Sequence, residues 1–125
     1  MKTSKKLQWY KLFALLIFIS QTGLAMAVVK NKPVYFILTQ QQWSAPKTAE
    51  SVLTMPAIHN VMKQLSDKKG YTLRIRYSGG EVGMLWASEL KGWLVSLGLA
   101  SSSIELQSGS LNVQEIELSI NKTLY

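Results

Sequence analysis

The chain has 125 residues, 14 Lys and Arg against 7 Asp and Glu, one histidine and no cysteine. The missing cysteines exclude a disulfide framework, a cysteine nucleophile, a thiolate metal site and a lipid-modified cysteine. Four basic residues, Lys2, Lys5, Lys6 and Lys11, fall in the first 27, leaving 10 against 7 and a balance of only +3, too weak a basic excess to call for nucleic acid.

The opening segment reads as a cleavable export signal. Its four lysines have no acidic neighbour, Leu12–Ile19 is an unbroken apolar run, and Ser20–Gly23 ends it. Ala25-Met26-Ala27 supplies small residues at both recognition positions of a cleavage site. An uncleaved anchor is the competing reading, yet a membrane span needs about 20 predominantly apolar residues and this run is interrupted too early. Residues 1–27 are therefore expected to be a signal peptide and 28–125 a single small domain, delivered to the periplasm. Membrane contact is expected only through the signal segment if it stays uncleaved.

Val34–Thr39 (VYFILT) is a continuous apolar, β-rich run and reads as a strand buried on both faces. Trp43–Thr48, which contains Pro46, reads as a loop. Ile58, Val61, Met62 and Leu65 recur at helical spacing. Pro56 suits a first turn and not a helix interior, so the helix is expected to begin near Pro56 with Thr54 as its cap; a turn at 49–53 before a kinked helix is the alternative.

Tyr71–Tyr77 alternates, with Leu73 and Ile75 on one face and Arg74 and Arg76 on the other, as in a half-exposed strand. Ser78-Gly79-Gly80 then turns the chain, with Ser78 as the expected cap of a second helix. That helix carries an apolar stripe of Leu85, Trp86, Leu90, Trp93, Leu94 and Leu97 and stops at Gly98. Ile104–Gln107 reads as a short strand, Ser108–Ser110 as a turn, and Glu115–Ile120 as a last alternating strand whose end near Tyr125 offers a free edge. The order is β-α-β-α-β-β. The simplest way to bury two amphipathic helices in so short a chain is an α+β two-layer sandwich, a mixed sheet with both helices on one face.

This order, with Leu73–Tyr77, the Gly-containing loop, and Trp93–Leu99 running on to Ile104–Leu106, resembles the OmpA-like C-terminal domain of Gram-negative envelope proteins. The resemblance covers about Val34–Ile120 and implies peptidoglycan binding through an Asp after the second strand and an Arg early in the second helix. Counting back from Gly98, Trp86 stands at the Arg position, and Val82 and Gly83 stand where the family has Leu-Ser. The only acid between Tyr77 and Trp86 is Glu81. An indole offers one N–H and no charge, so it cannot make the bidentate pair of an Arg with a carboxylate. The block from Gly79-Gly80-Glu81 through Gly83, Trp86-Ala87, Glu89-Leu90 and Trp93-Leu94-Val95 to Leu97-Gly98 also resembles small exported accessory proteins of conjugative elements and type IV secretion systems.

Catalytic and metal chemistry find little purchase. His59 has no carboxylate three or four residues away, and no His, Cys and carboxylate set clusters in sequence. No catalytic residue, metal or cofactor is expected. The candidate contacts are Arg74 and Arg76 with the loop Ser78, Gly79, Gly80 and Glu81, and the tryptophans Trp43, Trp86 and Trp93, of which Trp43 is expected to be exposed. The expected role is a non-enzymatic periplasmic interaction domain with an envelope protein partner, in an assembly such as a conjugation or secretion apparatus. The second reading is a peptidoglycan binder with altered ligand contacts.

Overall fold

A computed structural model describes residues 33–66 and 68–123. The export-signal reading and Tyr125 lie outside the described residues. The chain runs β1 (Val34–Thr39), α1 (Gln40–Trp43), α2 (Ala49–Thr54), α3 (Pro56–Leu65), β2 (Tyr71–Ser78), α4 (Glu81–Ser96), a 3-10 turn (Ser101–Ser103), β3 (Ile104–Ser110) and β4 (Glu115–Lys122). The fold is the expected α+β two-layer sandwich on a four-stranded mixed sheet.

Strand order is β1-β4-β2-β3, with β4 antiparallel to both neighbours and β2 parallel to β3. The last strand is thus central, hydrogen-bonded on both sides, and offers no free edge; the edges are β1 and β3. β3 continues through Ser110 instead of turning at Ser108, and a register shift at Tyr77/Ser78 absorbs the irregularity.

Alternation decides which face is covered. Leu38, Leu73, Ile75, Ile116, Leu118 and Ile120 point at the helices and are buried. Among the described residues the other face of the sheet is bare. Consequently β1 is not buried on both sides: Tyr35 is 61% and Ile37 44% exposed.

The helix layer closes the core with Val52, Ala57, Ile58, Val61 and Leu65 from α2 and α3, and with Ala87, Leu90 and Leu94 from α4. The buried stripe of α4 is narrower than expected, since Leu85 is 63% exposed while Trp86, Trp93 and Leu97 are only partly buried. The helix expected from Pro56 begins there, and residues 49–54, expected at most to turn, form a helix of their own. Thr48 and Ser51 cap α2 reciprocally, and Met55, extended at ψ 124°, ends α2 and starts α3 with Pro56 as its first residue. Thr54 is no cap; its hydroxyl donates to the Ser51 carbonyl at 3.0 Å. At the far end of α4, Gly98 takes φ 114°. The Gly98 and Leu99 amides then donate to the Val95 and Leu94 carbonyls, closing the helix in a Schellman motif.

Candidate functional site

The predicted contacts divide between two places. Ser78, Gly79, Gly80, Glu81, Trp43 and Trp86 line one groove of about 470 Å³ in the helix layer. Arg74 and Arg76 lie on the bare sheet face, and Trp93 packs partly buried against the core, outside the groove.

Local rules build each wall. Thr39 and Gln42 cap α1 reciprocally, side chain to backbone in both directions, and the single turn that follows swings Trp43 inward. Trp43 is therefore buried, 5% exposed, and not the open aromatic expected of a loop. Its Nε1 donates to Glu89 Oε2 at 3.1 Å. Lys47 completes the cluster, with Nζ 3.6 Å from Glu89 Oε1 and 4.6 Å from the Trp43 ring centroid. A cation over an indole face adds attraction to the ion pair.

The opposite wall begins where β2 ends. Ser78 is the last residue of the strand and does not cap α4; Gly80, at φ 108°, holds that position without a side-chain bond. α4 then starts hard against the strand. A Cβ at Gly83 would stand 2.1 Å from the Ser78 carbonyl oxygen, so only glycine permits this approach. Close seating aims Trp86 into the groove. Trp86 Nε1 is buried, and no acceptor reaches it among the described residues.

The rim is apolar and open. Val82 is 77%, Leu85 63% and Val113 70% exposed, and all three line the groove. Val113 belongs to the turn between β3 and β4, beside the fully exposed Leu111. Lys47, Glu89, Val82, Leu85 and Val113 were not legible as groove residues, because their neighbours come from elements far apart in sequence.

The arginines are engaged elsewhere. Arg74 meets Glu105 of β3 at 3.7 Å, while Arg76 meets Glu117 of β4 at 3.6 Å and donates to the Gly109 carbonyl at 3.0 Å. Both guanidiniums thus bridge neighbouring strands across the bare face. His59 is exposed on α3. Among the described residues, no three His, Cys, Asp or Glu side chains gather as metal ligands, and no helix is long and apolar enough to cross a membrane. The groove can therefore offer apolar contact and a Lys–Glu pair.

No protein-family model matches the chain, and no curated protein matches it in sequence.

Proposed function

We propose that the chain is a non-enzymatic interaction domain of the cell envelope, docking a protein partner through the groove between α1 and α4. One observation carries the reading: three exposed apolar residues, Val82, Leu85 and Val113, line a groove that Trp43 and Trp86 also wall. Exposed apolar surface rimmed by polar groups is interface material, and tryptophan is enriched among anchor residues. A partner that lays an apolar side chain between Val82, Leu85 and Val113 covers the rim and packs on the Trp86 wall. The export signature of the first 27 residues supports an envelope location, and the element order is the one the OmpA-like resemblance implies. A component of a conjugation or secretion apparatus suits this description.

The test is site-specific photo-crosslinking of the full-length chain in cells. A photoreactive residue at Leu85 or Val113 should capture an envelope protein, and one at Leu53, which is exposed but outside the groove, should not. Equal capture from Leu53 defeats the groove. Sedimentation with purified peptidoglycan sacculi separates the second reading. Binding that is lost in Arg76→Ala would replace the partner-docking role with peptidoglycan recognition on the arginine-bearing face.

A further inference from the structure

The two sheet edges are unequal. At β3, Lys91 Nζ donates to the Ile104 carbonyl at 3.3 Å, Glu105 is exposed, Gly109 sits at φ 110°, and the register breaks at Tyr77/Ser78. Charges, glycine and bulges of this kind keep an edge from pairing with another chain. β1 has none of them. Val34–Thr39 carries no charge, and its register with β4 is unbroken from Val34↔Ile120 to Thr39↔Glu115.

The free groups on β1 follow from parity. The Gln40 amide donates to the Gln114 carbonyl at 2.8 Å, so the ladder with β4 extends one residue past Thr39. A strand residue points its N–H and C=O the same way, and successive residues alternate. Val34, Phe36 and Leu38 therefore face β4, while Tyr35, Ile37 and Thr39 face outward. Thr39 agrees, because its amide turns away from β4 to Gln42 Oε1 at 3.2 Å. The outward amides and carbonyls of Tyr35 and Ile37 remain, and β1 pairs with no strand on that side among the described residues.

We propose that β1 pairs antiparallel with β1 of a second copy of this chain, about a two-fold axis at Phe36. In this register Tyr35 of each copy lies opposite Ile37 of the other, and all four outward donors and acceptors per copy are matched. The next pair outward is Pro33 with Thr39. Pro33 has no N–H and the Thr39 amide is already bonded, so the ladder stops without orphaning a donor. Centring on Ile37 fits worse, since the Tyr35 carbonyl would then face the occupied Thr39 amide. Side chains agree with the choice. Tyr35 meets Ile37 of the second copy twice on the bare face, an aromatic with β-branched pair of the kind that stabilises sheets. The guarded β3 edge ends growth at two copies, giving a closed dimer with one continuous sheet.

The absence of native cysteine makes the test clean. A non-hydrogen-bonded antiparallel pair holds its Cα atoms about 4.5 Å apart, within disulfide reach. In the full-length chain, Phe36→Cys should cross-link to itself under mild oxidation. Val34→Cys should not, because it faces Leu38 of the other copy. Independently, sedimentation equilibrium should show a dimer in the unaltered chain and its loss in Ile37→Lys, with the circular dichroism of Ile37→Lys unchanged because that side chain points outward. An unaltered chain that stays monomeric at high micromolar concentration overturns the proposal. So does cross-linking of Val34→Cys as fast as Phe36→Cys.

Discussion

Trp43 and Glu89, 46 residues apart in sequence, are joined by a 3.1 Å hydrogen bond from the indole Nε1 to a carboxylate oxygen. This bond ties the single turn after β1 to the middle of α4 and fixes one wall of the groove. Lys47 reaches the other Glu89 oxygen at 3.6 Å and lies over the Trp43 ring.

Glu89→Ala should therefore cost about 1–3 kcal/mol, because a bond to a charged acceptor is lost and the Trp43 donor is left unpaired. The Lys47 pair adds little, because the Glu89 side chain is 50% exposed and water screens the charges. Glu89→Gln keeps an acceptor for the indole and should lose less than half as much. Urea unfolding of the three proteins decides the matter. Equal losses in the two variants would mean that charge, not the Trp43 bond, holds the wall.

Two glycines in α4 should respond in opposite directions to alanine. Gly83→Ala drives a Cβ into the Ser78 carbonyl oxygen, which is backbone and cannot step aside. Overpacking of this kind costs about 1–3 kcal/mol, and α4 must lift from β2 to accommodate it. Gly92 is exposed in the same helix, with nothing within 4 Å of its added Cβ. Gly92→Ala should stabilise by about 0.5–1 kcal/mol through helix propensity alone. Thermal melts of the two variants should move to opposite sides of the parent. A neutral Gly83→Ala would refute the tight seating of α4.

The parts of the fold that could be read from sequence are those written in local patterns. The spacing of Ile58, Val61 and Leu65, the alternation of Leu73 and Ile75 against Arg74 and Arg76, and the stop at Gly98 each need only a few neighbouring residues. Strand order does not. VYFILT looks alike at the centre or the edge of a sheet, because an apolar run does not encode its neighbours, and β4 claimed the centre instead. α1 is too short to show a period; its one signal is the Thr39-x-x-Gln42 capping box. The groove was half legible. Trp43, Trp86 and the 78–81 loop each stand out in the sequence, but Arg74 and Arg76, next to that loop along the chain, are sent by strand alternation to the opposite face. The Trp43–Glu89 bond and the part played by Val113 depend on chain closure and leave no mark in sequence.

On the bare face, Arg76→Ala should cost more than Arg74→Ala. Both form exposed cross-strand ion pairs, for which the typical contribution is about 0–1 kcal/mol. Arg76 alone also donates to the Gly109 carbonyl, steadying β3 where the register shifts. We expect a loss near zero for Arg74→Ala and up to about 1 kcal/mol for Arg76→Ala. Added salt should shrink the first more than the second. A larger loss in Arg74→Ala, read by the same urea titration, would contradict this ranking.

Trp86 tests the core and the groove wall together, since it packs against the one and lines the other. Its buried Nε1 has no acceptor among the described residues, and leaving such a donor unpaired costs about 1–3 kcal/mol. Trp86→Phe removes that penalty while giving up part of the ring's packing, so the two changes oppose each other. We expect Trp86→Phe to unfold within about 1 kcal/mol of the parent, whereas Trp86→Ala, which forfeits the whole ring, should lose about 3 kcal/mol. Partner capture should follow the ring: photo-crosslinking from Leu85 should survive Trp86→Phe, which keeps an aromatic wall, and fall in Trp86→Ala, which does not. If Trp86→Phe instead destabilises as much as Trp86→Ala, the indole N–H is already satisfied within the protein.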